Sequence, residues 1–337
     1  MQVQSLPSVS ILLPFHREGI WLEEAINSIL VQTCSDWELI LIANCPDRIT
    51  LDLAKKLSSR DERILLLRED SPGIAFALNT GLAAARAPLI ARMDADDFSL
   101  PERIEKQIRY LESHPEVDVL GTRTAPHPEG SPGEGFASFM DWQNSIVDPV
   151  DHRLQRFIES PIAHPTVMYR KELVKRYGHY LTTGTPEDYE LWLRWLDKGA
   201  VFAKLPESLL LWRDHSGRLT RTHPDYTKEA FGRIRSHYLA IELKRIMGSR
   251  KLIVCGADRS CRRKASILTG EGVAVAGFAD VVPRDITGLM FIPASEIILD
   301  PDLFFLSFVS SRGKAAEMRD FFRKKGMQEG QDFLLAN

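Results

Sequence analysis

The run Pro88-Leu89-Ile90-Ala91-Arg92-Met93-Asp94-Ala95-Asp96-Asp97-Phe98-Ser99-Leu100-Pro101-Glu102-Arg103 joins a short apolar segment to three carboxylates within four residues. Pro88 to Met93 reads as a buried strand. Asp94, Asp96 and Asp97 repel one another unless a cation or a solvated turn relieves them. An oxygen-rich set suits Mg2+ or Mn2+, which bridge one or two carboxylates to a substrate diphosphate. For an isolated triplet the simpler account is a solvated turn capping a helix that Pro101 opens. A calcium EF-hand loop does not fit, because Ser99 stands where glycine is required and Phe98 replaces a ligand.

Upstream, strands are expected at Val9–Leu13, Trp37–Ala43 and Arg63–Leu67. Helices are expected at Trp21–Gln32, Leu51–Leu57 and Ile74–Arg86. This βαβα order implies a mostly parallel sheet with helices on both faces, an α/β fold that binds ligands beyond the carboxyl ends of its strands. Residues 125–135 are rich in proline and glycine and read as a surface loop. A long helix from Tyr226 to Met247 leads to Gly248-Ser249, and a new βαβ unit starts at Lys251.

The chain has 337 residues, enough for two domains, and 44% of them are hydrophobic, so it can bury a sizeable core. A formal charge of −3 gives no basic footprint for a nucleic-acid partner. The first residues lack a basic leader, and no apolar run approaches the ~18 residues of a membrane span. Cys34, Cys45, Cys255 and Cys261 form no CxxC pair, so a cytoplasmic location is expected.

The acid run, together with Val9-Ser10-Ile11-Leu12-Leu13-Pro14, Leu22-Glu23-Glu24-Ala25-Ile26-Asn27-Ser28-Ile29-Leu30 and Ala77-Leu78-Asn79-Thr80-Gly81, resembles family 2 glycosyltransferases. The resemblance covers residues 8–222. It implies a GT-A-type nucleotide-sugar-binding domain over residues 1–222. A helical linker over 223–248 and a small Rossmann-like α/β domain over 249–337 would follow. It also implies donor contacts from Pro14, His16, Asn44, Asn79, Asp94, Asp96 and Asp97, with Asp94 at the ribose and Asp96 holding Mg2+ or Mn2+ on the diphosphate. The family usually ends its second strand with paired aspartates. Here Ala43 and Asn44 stand there, so Asn44 offers a base edge a donor and an acceptor but no charge. UDP is the first expectation for the donor, with dTDP and GDP sugars as alternatives.

Thr185-Pro186-Glu187-Asp188 opens a helix, with Thr185 as a candidate cap and Asp188 placed for a capping box. The same position suits catalysis, because the helix dipole favours an ionised carboxylate able to take a proton. Glu187-Asp188-Tyr189 with Leu191-Trp192-Leu193-Arg194 resembles the family's acidic motif, which makes Asp188 the catalytic base and Glu187 an acceptor or loop contact. Ser160-Pro161-Ile162-Ala163-His164-Pro165-Thr166 matches a subgroup block. His164 reads equally as a satisfied core histidine or an acceptor-site group. In Leu211-Trp212-Arg213-Asp214-His215, Arg213 suits a diphosphate and His215 suits either solvent or the metal. Trp192, Trp195 and Trp212 read as core.

In the C-terminal unit Asp280 sits where a dinucleotide-binding fold places its ribose acid. Asp258 and Cys261, however, replace glycines of the fingerprint, which disfavours a dinucleotide. The basic stretch Lys228–Lys264 reads as a solvated helix face, or as peripheral contact with the inner face of the cell membrane.

The expectation is inverting transfer from a nucleotide-sugar donor to a hydroxyl of a glycan or lipid-linked acceptor, in cell-surface polysaccharide or glycoconjugate synthesis. The alternatives are a sugar-phosphate nucleotidyltransferase, disfavoured because Pro14-Phe15-His16-Arg17-Glu18 is no glycine-rich phosphate loop, and a non-catalytic scaffold. The oligomeric state is not legible.

Overall fold

The computed structural model describes residues 6–17, 19–129, 132–283, 286, 288–308 and 312–337. Residues 1–5, Glu18 and residues 130–131 of the proline- and glycine-rich stretch lie outside it. By internal contacts the chain forms two units, Met1–His152 with Pro161–Thr227, and Arg153–Ser160 with Lys228–Asn337.

The first unit runs β1 (Val9–Phe15), α1 (Ile20–Leu30), β2 (Trp37–Asn44), α2 (Arg48–Ser58), β3 (Ile64–Glu69), α3 (Ile74–Ala84), β4 (Leu89–Arg92), β5 (Phe98–Ser99), α4 (Arg103–Ser113), β6 (Val119–Pro126) and α5 (Glu134–Ser145). After α6 (Pro149–Gln155), whose residues from Arg153 on are assigned to the second unit, come β7 (Met168–Arg170), α7 (Glu172–Tyr177), α8 (Glu187–Asp197), β8 (Phe202–Trp212) and α9 (Leu219–Thr222). The eight strands lie in the order β3-β2-β1-β4-β7-β6-β8-β5.

Every residue of β1, β2 and β4 is buried, as expected for central parallel strands covered on both faces. β1 pairs parallel with β2 on one side and with β4 on the other. Strand order therefore reverses at β1/β4, and the acid run leaves the sheet at that switch point. Beyond β4 the sheet is mixed, with β7 antiparallel to β4 and to β6. α3 packs closely on β1 and β2, since a Cβ at Gly81 would sit 3.0 Å from Ile42 Cδ1 and 3.1 Å from Leu12 Cδ2. Trp192, Trp195 and Trp212 are buried in the core.

Pro101 does not open α4. The helix begins at Arg103, and Pro101 lies in the preceding turn, where its carbonyl accepts from the Thr33 amide at 2.9 Å. That bond ties the turn to the end of α1 and leaves the helix to start two residues later.

The second unit holds α10 (Lys228–Met247), β9 (Lys251–Cys255), α11 (Arg259–Gly270), β10 (Val275–Asp280), β11 (Met290–Pro293), β12 (Leu303–Phe308), α12 (Arg312–Lys324) and β13 (Phe333–Ala336). Its parallel sheet has the order β11-β10-β9-β12-β13, the doubly wound arrangement of a Rossmann-like unit. Asp280 Oδ2 accepts from the Ala257 amide at 2.7 Å, and Asp258 Oδ1 caps α11 through the Cys261 amide at 2.8 Å. Carboxylates thus occupy amides that a pyrophosphate would need. All four cysteines are free thiols. Among the described residues no helix is long and apolar enough to cross a membrane.

Candidate active site

β4 ends at Arg92, and Met93 to Asp97 turn over the carboxyl end of the sheet. β5 follows at once and pairs antiparallel with β8, Phe98 opposite Leu211 and Ser99 opposite Leu210. That register brings the residues just after β8 back onto the acid loop. The Arg213 amide donates to Asp97 Oδ1 at 2.9 Å, and His215 Nε2 lies 2.7 Å from Asp96 Oδ2. The His215 ring rests against Trp21 of α1, with centroids 4.5 Å apart.

One carboxylate oxygen from each of Asp94, Asp96 and Asp97 lies within 4.8 Å of the others. Asp94 pairs with the buried Arg92 at 2.5 Å. Asp97 is buried, and its Oδ2 has no hydrogen-bond partner. Burial, then the charges of Asp96 and Asp94, push the Asp97 carboxyl well above its usual range. Burial also raises Asp94, against the pull of Arg92. A buried carboxylate oxygen without a donor, in a group of mutually repelling acids, is a setting that a divalent cation relieves.

Glu187 and Asp188 open α8. Pro186 occupies the cap position and makes no side-chain bond, and the Thr185 hydroxyl has no partner. The expected capping box is therefore absent: Thr185 lies one residue too far out for its side chain to cap the first amides. Asp188 Oδ1 instead accepts from the Tyr189 amide at 2.7 Å. Glu187 is buried and accepts a hydrogen bond from the Tyr226 hydroxyl.

His164 Nδ1 lies 3.7 Å from Glu187 Oε1, and its Nε2 lies 2.9 Å from the Tyr180 hydroxyl. Burial, aided by the Arg92 charge, keeps this imidazole well below its ordinary pKa and hence neutral. The antiparallel pairing of β7 with β4 explains its place, since the residues just before β7 fall beside the end of β4. The Arg92 amide donates to the Val167 carbonyl at 2.9 Å.

Burial pushes Glu187 up to about 8, with the Asp188 charge adding to it. Asp188 keeps part of its surface open, yet protein encloses it on its other sides, and desolvation is the largest influence on it. It is raised to about 6, the Tyr189 amide pulling it down and the Asp94 charge adding to the rise. At about 6 the carboxylate is still ionised at neutral pH, as a proton acceptor must be. The segment before β7 links the two acid groups: Val167 is bonded to Arg92, which pairs with Asp94, and His164 lies beside Glu187 at the start of α8.

The family model for glycosyl transferase family 2 matches residues 10–178. The chain is 31% identical to the O-antigen biosynthesis glycosyltransferase WbnJ of Escherichia coli over 64% of this chain and 83% of that protein. It is 34% identical to the amylovoran biosynthesis glycosyltransferase AmsE of Erwinia amylovora over 56% of this chain and 69% of that protein. The chain belongs to glycosyltransferase family 2. Among solved structures, S. aureus TarS residues 1–349, crystallised with UDP-GlcNAc, matches with a TM-score of 0.56 at 16% identity, over 78% of this chain and 71% of that one. That likeness places the fold in the GT-A class.

In this glycosyltransferase several residues expected at the donor are engaged by protein. Arg213 is buried. Its guanidinium pairs with Glu24 of α1 and Glu129, donates to the Asp96 carbonyl at 2.9 Å and lies 3.0 Å from His127 Nε2. It braces the acid loop. Asn44 donates to the Ser71 carbonyl at 2.7 Å and accepts from the Gly73 amide at 2.9 Å, so both ends of its amide hold the loop between β3 and α3. Asn79 is clamped to the backbone of Tyr180 at both ends of its amide. His16 Nδ1 lies 2.7 Å from the Asn44 carbonyl, and Pro14 is buried within β1 opposite Ile42.

Sequence reasoning missed Trp21, Glu24, His127, Glu129, Tyr180 and Tyr226. Each meets a site residue distant in the chain, and even Glu24, inside the Leu22–Leu30 run, carries no local sign of its pairing with Arg213.

Proposed function

We propose that the chain transfers a sugar, with inversion, from a nucleotide-sugar donor to a hydroxyl of a glycan or lipid-linked acceptor, in the synthesis of a cell-surface polysaccharide or glycoconjugate. The observation that carries this reading is the cluster of Asp94, Asp96 and Asp97 at the switch point of the sheet, linked to the start of α8 through Arg92, Val167 and His164. The polysaccharide assignment follows the names of the E. coli and Erwinia relatives. We take UDP as the donor nucleotide, with the GT-A domain over residues 1–222 as the donor-binding part.

Asp96, with Asp94, Asp97 and His215 around it, would hold Mg2+ or Mn2+. When bound, such an ion supplies positive charge to a departing diphosphate. The chain's own residues do the rest. Arg213 holds the acid loop to β8, and Trp21 fixes the His215 ring. Asp188 accepts the acceptor's hydroxyl proton, and Glu187, protonated near neutrality by its burial, adds no second negative charge beside it. Release of nucleoside diphosphate from a panel of nucleotide sugars tests the reading. Release of pyrophosphate instead would overturn it.

A pH dependence follows. Asp188 must be ionised to take a proton, and burial has raised its pKa to about 6. The groups that act on it are Glu187 beside it on α8, Asp94 and Arg92 from the end of β4, and, through Glu187, Tyr226 and His164. Activity therefore falls as pH drops through about 6, where the base becomes protonated. A cation beside Asp94 offsets its charge and moves this limb lower, never higher. A pH–rate profile flat down to the ordinary aspartate range would remove Asp188 from the role of base.

Replacing His215 by alanine should weaken Mn2+ binding roughly ten- to a hundredfold, since an imidazole against a metal-holding carboxylate orients it or shares the ion. Calorimetric titration with Mn2+ reads the change. An unaltered affinity would leave His215 outside the metal site.

A further inference from the structure

We propose that the second unit docks on an anionic bilayer through the outer face of α11 and the Val281-Val282 pair that follows β10. Within the basic run from Lys228 to Lys264 two sets stand apart. One holds the unit together. Arg235 donates to the Asn337 carbonyl, Lys244 to the Glu271 carbonyl at 2.6 Å, and Arg250 to the Gln331 carbonyl at 2.6 Å. Arg245 pairs with Glu242, and Lys264 lies 5.2 Å over the Phe308 ring.

Arg259, Arg262 and Arg263 form the other set. They are exposed, and their i, i+3, i+4 spacing puts them on one face of α11, opposite the buried Cys261, Ala265 and Leu268. No carboxylate among the described residues pairs with their guanidiniums. α11 itself contains no acid. Asp258 before it caps the Cys261 amide, and Glu271 after it lies 3.2 Å from His237 Nδ1. Three cations in the first two turns stand at the positive end of the helix dipole, where they oppose helix stability. Their placement gains the fold nothing and complements an external anion.

The same end of the sheet exposes apolar side chains. Val281 is 82% exposed and Val282 52%. The Asp280 carboxylate ties them to the turn into α11, accepting from the Ala257 amide at 2.7 Å, from Val281 at 2.7 Å and from Val282 at 3.3 Å. Ile267, on the arginine face two turns further along, is also exposed. Unpaired guanidiniums beside bare valines complement a surface that offers phosphate charge with acyl chain beneath it. A nucleic acid would engage the arginines but leave the valines in water. The inference concerns this unit alone and stands whatever the donor and acceptor prove to be.

Flotation of the full chain with vesicles tests it. The chain is expected to float with phosphatidylcholine vesicles that contain phosphatidylglycerol, less so at high salt, and to stay behind with phosphatidylcholine alone. The triple variant Arg259→Ser, Arg262→Ser, Arg263→Ser should lose roughly a hundredfold in partitioning, and each single Arg→Gln change roughly fivefold. The double variant Val281→Ser, Val282→Ser should lose about tenfold or more. Circular dichroism identical to the unaltered chain shows that each variant is folded, and the single changes carry the test if the triple is not. Equal flotation with both vesicle types, or undiminished flotation of the arginine variants, overturns the proposal. Binding to an oligonucleotide as tight as to the mixed vesicles overturns it as well, in favour of a polyanion site.

Discussion

Asp188→Asn lowers sugar transfer by about two to four orders of magnitude and leaves donor binding intact, the range expected when a general base is removed. The substitution keeps the local structure. The asparagine carbonyl oxygen can accept from the Tyr189 amide as Asp188 Oδ1 does, and the residue stays in the first turn of α8. What it loses is the basic carboxylate that takes the hydroxyl proton. The Asp188 charge also helps to hold Glu187 protonated, so its removal lets Glu187 titrate lower. The variant thus separates two roles: if Glu187 were the base, transfer would survive and its pH limb would move down. Turnover measured beside calorimetric donor binding decides the matter. Transfer at the unaltered rate, or loss of donor binding without loss of turnover, contradicts the assignment.

Asp96→Ala is expected to abolish metal-dependent donor binding, a loss of more than about a hundredfold, since even outer partners of a metal typically contribute ten- to a hundredfold. Asp96 is partly exposed, and its carboxylate meets His215, while its backbone carbonyl accepts from Arg213. The backbone contact survives the substitution, so the loop should keep its course. The change removes one of the three acids and frees His215. Donor binding measured with and without Mn2+ gives the result. An Asp96→Ala protein whose donor affinity still responds to Mn2+ would place the ion elsewhere. The two variants differ in kind, since the first spares the bound donor and blocks the proton transfer, whereas the second prevents the donor from binding.

Much of the central sheet could be read directly. β1, β2 and β4 are runs of apolar residues that only a strand covered on both faces can bury, and their alternation with helical periods dictates parallel pairing. The acid run could be placed at the end of β4 because the apolar segment stops there. Errors came where a local signal met a tertiary demand. Pro101 resembles a helix start, yet its carbonyl is engaged by Thr33 and the helix begins at Arg103. Thr185 resembles a cap, yet Pro186 takes that position. The protein partners of Asn44 and Arg213, by contrast, come from distant segments that no local signal marks.

The sequence alone determined the fold class, the three acids at the end of β4 and the acid pair that opens α8. All three follow from short-range composition and spacing, which the local backbone obeys. Only the tertiary structure decided that His215 meets Asp96, that Arg213 braces the acid loop, and that burial raises Asp188 instead of the helix terminus lowering it. The pairing of β5 with β8 joins residues more than a hundred positions apart, and the desolvation of a carboxyl depends on everything packed around it. Neither quantity is written in a window of neighbouring residues.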